Sequence, residues 1–252
     1  MSMPFEKAAK ELLNRRKAGV KAPQLPEDIR PKSLDDALAI HQEMLKQKGD
    51  AGGWKCLLPP SEGQIIAAPI FMDSVQRGET VSLIEDNSMA RIEPEIAFVL
   101  EKDLPANTEG YSNEEIDAAI GNCHMALELM QARFDAESGA TFYEKLADCM
   151  VNQGLFIGPE IERELAYKAS EIFIDIEQEG LSITKEGKHP NELPQNPLHW
   201  FINYMTKRGQ SFKAGEAIIT GSYAGIVEVD FDLETTISYK GLGEYKVTFK
   251  RK

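Results

Sequence analysis

The chain has 252 residues, of which 42% are hydrophobic and 27% charged, a composition that fits a globular protein and excludes collagen-like, coiled-coil and largely disordered chains. Its 28 Lys and Arg against 41 Asp and Glu give a net charge of −13, and such an acidic chain repels nucleic-acid backbones. The sequence has no apolar run near the roughly 20 residues that span a bilayer, and its three cysteines form no C-x-x-C pair. We therefore predict a cytoplasmic protein with no nucleic-acid and no membrane partner.

The N-terminal region is predicted to be mostly helical over its first seventy residues. Apolar residues recur at helical spacing from Phe5 to Leu13, which predicts a first helix ending near Gly19. A capping pattern that starts at Ser33 predicts a second helix ending near Gly49. Proline-rich sequence separates the two helices.

From Gly78 onward the pattern is typical of strands. The predicted strands cover 81–84, 92–100, 172–176, 181–184, 217–220, 225–229, 235–239 and 245–249. Two helices interrupt them, one starting at the capping box of Ser112 and one over about 197–207. These patterns predict an α+β fold with a small helix-rich N-terminal part, residues 1–75, and a β-rich domain, residues 76–252.

The segment 91–100 contains two acids in an otherwise apolar strand. Glu93 and Glu95 share one face of that strand, because alternate residues of a strand point the same way. Both faces are largely apolar, which is typical of a strand covered on both sides. At about 6–7 Å the two carboxylates repel by about 2–3 kcal/mol. A proton, a basic partner or a metal ion must offset this cost, unless the pair lies at a solvated strand end.

A third acid, Glu128, lies between two pairs of apolar residues in Met125–Met130. It is either a structural acid paired with Arg133 or Lys145, or part of the same site as the other two glutamates. Three carboxylates without a His or Cys constellation favour Mg²⁺ or Mn²⁺ over Zn²⁺. The open positions of such an ion would take water and a chelating oxo-acid.

Lys55 follows two glycines and precedes an apolar run. It is either a surface lysine whose stem covers apolar groups or a side chain that projects into a cleft and holds a carboxylate or enolate. The loop 220–225 is interpreted as a turn with free backbone amides.

Several motifs of this sequence also occur together in one known family. They are G-W-K at 53–55, F-M-D at 71–73, R-I-E-P-E-I-A-F-V-L at 91–100, A-L-E-L-M at 126–130 and K-A-G-E-A-I-I-T-G-S at 213–222. On these residues the chain resembles the 2-keto-4-pentenoate hydratases and related oxo-acid decarboxylases of the fumarylacetoacetate hydrolase superfamily. The resemblance implies a mixed β-sheet roll or barrel, like the C-terminal domain of that superfamily, and a homo-oligomer.

The resemblance also implies the roles of individual residues. Glu93, Glu95 and Glu128 would hold Mg²⁺ or Mn²⁺, while Lys55 and Asp73 would be catalytic, Asp73 as a proton carrier. The expected substrate-binding residues are Arg91, Thr220, Gly221 and Ser222.

The expected activity is hydration of a 2-hydroxy-dienoic or 2-oxo-enoic acid through a metal-stabilised enolate, as in aromatic compound catabolism. Two other activities of the superfamily stay open, an oxo-acid decarboxylase and a C–C hydrolase. A hydrolase would need a His–Glu pair upstream of the metal carboxylates, and His41 is the only histidine there.

A catalytically silent metal-binding scaffold also stays open, because the chain departs from the family at two motifs. The family's K-x-G-x-T reads K-C-L-L-P at 55–59, and its A-D-N-x-S stretch reads A-D-C-M-V at 147–151.

Overall fold

A computed structural model describes residues 4–61 and 63–252. In these residues the helices are α1 (Pro4–Ala18), α2 (Leu34–Lys48), α3 (Asn113–Asp117), α4 (Phe142–Ala147), α5 (Arg163–Lys168) and α6 (Gln195–Thr206). The strands are β1 (Ala51–Ser61), β2 (Gln64–Phe71), β3 (Val75–Gln76), β4 (Thr80–Leu83), β5 (Ala90–Leu100), β6 (Ile120–Met130), β7 (Asn152–Ile161), β8 (Glu171–Gln178), β9 (Leu181–Lys188), β10 (Ala217–Ile219), β11 (Val227–Val229), β12 (Glu234–Tyr239) and β13 (Gly243–Arg251).

The strands form two sheets that contain both parallel and antiparallel pairs. The first has the order β2-β1-β10-β5-β6-β7-β3, with β11 also paired to β5, and it curls into a half-barrel. The second has the order β4-β13-β12-β8-β9. This mixed β architecture with few helices confirms the predicted α+β fold. Among the described residues, no helix is long and apolar enough to cross a membrane.

The prediction that the first seventy residues are mostly helical was wrong for residues 51–71. This segment forms the antiparallel strands β1 and β2, and β1 also pairs in parallel with β10. A strand buried on both faces has no polar–apolar alternation, so its sequence lacks the usual strand signal. Gly53 is required by the packing, because a Cβ there would lie 2.4 Å from the carbonyl oxygen of Ala217 on β10.

The two N-terminal helices confirm the predicted boundaries and pack on the same core as the sheets. Ser33 caps α2 by accepting a hydrogen bond from the backbone of Asp36. Buried apolar side chains from Ala8 on α1 to Phe249 on β13 form one continuous cluster. The proposed division of the chain near residue 75 stays a prediction.

Glu216 is a buried acid directly before β10 of the first sheet. Trp54 donates its indole N–H to Glu216, with 2.7 Å between Nε1 and Oε2. Burial raises the pKa of Glu216 to about 7, with further upward contributions from Asp103 and Asp50. The hydrogen bonds from Trp54 and from the backbone of Lys213 oppose this rise. The folded state therefore holds this proton at pH values where the unfolded chain loses it.

We expect Glu216→Gln to remove a pH-dependent loss of stability. Because the folded pKa is raised, the stabilisation is complete below the ordinary value of 4.5 and is lost as the pH rises through about 7. Glutamine keeps the acceptor for Trp54 but cannot ionise. Relative to the native chain, the variant should gain about 2–3 kcal/mol in unfolding free energy between about pH 5 and pH 8.

Urea unfolding of the variant and of the native chain at about pH 5 and pH 8 measures this difference in unfolding free energy. Glu244→Gln, an exposed position on β13, is the matched control and should show no such gain. The explanation fails if Glu216→Gln and the native chain lose stability in parallel.

Candidate metal centre

Three glutamates from two neighbouring strands converge in the first sheet. The antiparallel register of β5 and β6 places Glu93 directly opposite Glu128, and Glu95 follows on the same face of β5. One carboxylate oxygen from each of the three lies within 4.8 Å of the others. Glu95 is 2% exposed and Glu128 is fully buried, while Glu93 is half-buried. The alternative of a solvated strand end was therefore wrong for Glu95.

The electrostatics of the cluster indicate a missing positive charge. Burial, and then the charge of Glu128, raises the pKa of Glu93 to about 7. Burial raises the pKa of Glu95 well above its ordinary value, and the charges of Glu128 and Glu93 add to this. The backbone N–H of Gly221 donates to Glu95 at 2.6 Å and partly compensates it.

Lys55 on β1 is the cation that faces this cluster. Its Nζ donates to both carboxylate oxygens of Glu128, at 2.6 Å and 2.8 Å, and lies 3.4 Å from the carbonyl oxygen of Met150. Burial lowers the pKa of Lys55, but the charge and hydrogen bonds of Glu128, together with the charges of Glu93 and Glu95, outweigh burial, so the net shift is upward. The residue is 9% exposed, so the alternative of a surface lysine was wrong.

Neither predicted structural partner binds Glu128. Arg133 bonds to Asp148 instead, and Lys145 is exposed. Besides Lys55, Glu128 accepts a hydrogen bond from Asn152 Nδ2 at 2.9 Å. Asn152 was missed from the sequence, because a single asparagine at the start of a strand carries no signal of its own.

One ammonium group against three clustered carboxylates leaves a formal charge of −2, which a divalent cation would balance. Carboxylate oxygens are the ligands that Mg²⁺ and Mn²⁺ prefer. Their spacing lets one ion contact all three side chains. The residues present therefore fit a divalent metal ion of this kind.

The backbone beside the centre has an unusual conformation. Cys149, Met150 and Val151 have φ values of 58°, 49° and 62°, in the left-handed region that non-glycine residues rarely adopt. Arg133 holds both ends of this segment, because its Nη2 donates to the carbonyl oxygens of Asp148 and Asn152 at 2.7 Å and 2.8 Å. The Met150 carbonyl is thereby fixed next to Lys55. This role of Arg133 was not predictable from the sequence.

The predicted substrate-binding residues lie in two places. Thr220 and Gly221 adjoin the centre through the bond of Gly221 to Glu95, and the buried hydroxyl of Thr220 has no hydrogen-bond partner among the described residues. Ser222 donates to the carbonyl of Pro94 at 3.2 Å. Because the N–H of Gly221 donates to Glu95, this amide is not free, contrary to the prediction of free backbone amides in the loop 220–225.

Arg91 lies on β5 two residues before Glu93, and its guanidinium is engaged in ion pairs. It contacts Asp86 at 2.7 Å and Glu228 at 3.3 Å. Its predicted contact with substrate stays a prediction.

Asp73 lies outside the three-glutamate cluster. It belongs to a short 3₁₀ turn, Met72–Ser74, and its 59% exposed side chain pairs with Lys48. It lines a cavity of about 880 Å³ that none of the three glutamates lines. The structure therefore does not bring Asp73 together with Lys55, and its role as a proton carrier stays a prediction.

Comparisons with known proteins lead to one group of relatives. No family model matches the chain. It is 26% identical to the 2-keto-4-pentenoate hydratase of Paraburkholderia phymatum over 192 residues, which are 75% of this chain and 70% of that protein.

Two solved structures have a similar fold. The 4-oxalocrotonate decarboxylase from Pseudomonas putida G7, complexed with magnesium and adipate, aligns over 98% of this chain and 97% of its own, with a TM-score of 0.78 and 18% identity. Fumarylpyruvate hydrolase from Pseudomonas aeruginosa, in complex with Mn²⁺ and pyruvate, aligns over 79% of this chain and 89% of its own, with a TM-score of 0.55 and 13% identity.

Proposed function

We propose that the chain is a metal-dependent hydro-lyase, because it is similar to the 2-keto-4-pentenoate hydratases and has the fold of the fumarylacetoacetate hydrolase superfamily. Its substrate would be a small 2-hydroxy-dienoic or 2-oxo-enoic acid. The observation that carries the proposal is the convergence of Glu93, Glu95 and Glu128 opposite Lys55.

Glu93, Glu95 and Glu128 would hold Mg²⁺ or Mn²⁺. When bound, such an ion supplies Lewis-acid polarisation of an oxygen of the substrate. The two solved structures with a similar fold are complexes with magnesium and with Mn²⁺, which supports this choice of metal.

Lys55 acts as a fixed positive charge in this proposal. Two hydrogen bonds to Glu128 hold its ammonium group, so Lys55 enters the reaction as a cation that binds a carboxylate or a developing oxyanion. Its position is set before substrate binds, because β1, β10 and β5 are hydrogen-bonded neighbours in one sheet. Such a preorganised charge stabilises a transition state without reorganisation.

Two further side chains have proposed roles beside Lys55. The unpartnered hydroxyl of Thr220 offers a hydrogen bond to the substrate. Asp73 is kept as the proposed proton carrier, on the resemblance of the F-M-D motif.

Decarboxylation of an oxo-acid is the second candidate function. The similarity over 98% of the chain to 4-oxalocrotonate decarboxylase favours it. Hydrolysis of a C–C bond is less well supported, because His41 is buried and its Nε2 lies 2.6 Å from the carbonyl oxygen of Leu146. That contact keeps the ring away from a water-activating role.

Turnover assays separate these functions. With Mg²⁺, the chain should consume 2-hydroxypenta-2,4-dienoate, measured as loss of dienoate absorbance, at least about 10²-fold faster than the solvent blank, and EDTA should abolish this. Release of CO₂ from 4-oxalocrotonate is the parallel assay for decarboxylation. Turnover in that assay alone would replace the hydratase by the decarboxylase. Metal binding without turnover in either assay would favour the scaffold.

A further inference from the structure

The cavity of about 880 Å³ beside α1 is rich in basic side chains, although the protein as a whole is acidic. Five cationic residues line it: Arg16, Lys17, Lys21, Lys48 and Lys252. Three acids also line it, Asp73, Glu85 and Asp86. All three acids take part in ion pairs, with Lys48, Arg251 and Lys21 respectively.

Arg16 is the most unusual side chain of this cavity. The residue is only 8% exposed, and none of its three guanidinium nitrogens has a hydrogen-bond partner among the described residues. Burial, and then the charge of Arg133, lowers the pKa of Arg16 to about 10, so it remains a cation at neutral pH. A buried cation without a partner is unfavourable unless an anion accompanies it.

Among the described residues, the thiol of Cys149 and the charge of Asp148 raise the pKa of Arg16, but burial outweighs both. Asp148 is the nearby acid, but it is bound to Arg133 by bonds of 2.8 Å and 2.9 Å. The ring of Phe71, 4.9 Å from the guanidinium carbon, supplies only a weak cation–π contact.

Lys48 and Lys252 line the same cavity as Arg16, and the charges of Lys48 and Arg16 both act on Lys252. Burial lowers the pKa of Lys252, Asp73 opposes this, and the charges of Lys48 and Arg16 lower it further. Arg16 on α1, Lys48 at the end of α2 and Lys252, directly after β13, thus line one cavity, and Asp73 is the acid that pairs with Lys48 there.

We propose that this cavity binds a small organic oxyanion, a compound with a carboxylate or phosphate group, through Arg16, Lys48 and Lys252. Glu93, Glu95, Glu128 and Lys55 do not line this cavity, whereas Asp73, the proposed proton carrier, does. Its volume lies within the range of small-molecule sites, so the cavity has room for an organic molecule that carries such a group. Both ligand groups accept charge-assisted hydrogen bonds from guanidinium and ammonium donors.

Binding is tested on the full chain in EDTA, so that no metal bound to the three glutamates can capture the probe. Adipate and inorganic phosphate are titrated separately by calorimetry, and thermal unfolding is followed in parallel. Saturation by at least one of them should raise the unfolding midpoint by several degrees. The compound that binds, adipate or phosphate, identifies the ligand group as carboxylate or phosphate. If neither compound binds, the proposal is overturned, while the proposed metal-dependent activity is not affected.

Variants assign the site to its residues. Arg16→Met should weaken binding at least tenfold and, without the anion, raise the unfolding midpoint, because it removes an unpaired buried charge. Lys48→Gln and Lys252→Gln, at more exposed positions, should each weaken binding several-fold, whereas the exposed Lys185→Gln on β9 should not. Unchanged binding by all three cavity variants, or equal losses in Lys185→Gln, would contradict the assignment.

Discussion

Replacing Glu95 by glutamine is expected to lower metal-dependent turnover by about 10²-fold or more. The substitution keeps the shape of the side chain and the acceptor for the N–H of Gly221, but it removes one of three negative ligands. A neutral amide oxygen is a weaker ligand for a hard divalent ion than a carboxylate. The loss should appear as weaker Mn²⁺ binding in calorimetry and as loss of the metal-induced rise in unfolding temperature.

Metal-free unfolding shows whether the Glu95 variant folds. In EDTA, Glu95→Gln should be at least as stable as the native chain, because it relieves repulsion within a buried cluster of like charges. Glu160→Gln, at an exposed position on β7, serves as the control and should keep both turnover and metal binding. Undiminished metal binding by Glu95→Gln would remove Glu95 from the set of ligands.

The second large effect is expected for Lys55→Met. In the metal-free protein this change leaves Glu128 buried without a cation, and breaking a buried ion pair costs about 3–5 kcal/mol. Turnover should also fall by about 10²-fold, because the fixed positive charge of the centre is lost. Urea unfolding in EDTA measures the stability, and the same titration with Mg²⁺ should show a smaller loss, since the ion then compensates Glu128.

A second substitution separates the charge effect from a packing effect. Glu128→Gln in the Lys55→Met background removes the unpaired charge, so it should recover much of the lost stability in EDTA. No recovery would mean that the loss comes from packing around β1. Equal stability of Lys55→Met and the native chain in EDTA would contradict the importance of the ion pair.

The acids of the centre were predictable from the sequence, whereas most of their partners were not. Glu93 and Glu95 share a strand face by simple alternation, and Glu128 is conspicuous among apolar neighbours. The pairing of Lys55 with Glu128 depends on the strand order β1-β10-β5-β6, in which two strands lie between the partners. Sequence patterns define local structure and leave that order open, so Lys55 had two interpretations until the sheet was known.

The residues that support the centre without facing it were still harder to predict from the sequence. Arg133 was considered only as a partner for Glu128, yet it binds Asp148 and the backbone on either side of 149–151. Residues 51–71 were assigned to a helical region, because fully buried strands do not alternate in polarity. The partner of Arg133 and the structure of residues 51–71 were both predicted incorrectly for the same reason. Contacts between residues distant in sequence determine them, and local sequence patterns do not contain those contacts.

The hydrogen bonds of Arg133 to the backbone on both sides of residues 149–151 affect which substitutions this segment can accept. The backbone path there is imposed by an arginine outside the segment, so it does not depend on which side chains Cys149 and Val151 carry. The side chains at positions 149 and 151 can therefore change while the Met150 carbonyl oxygen that faces Lys55 keeps its place. The side chains beside the centre and the backbone that carries them can then change independently of each other.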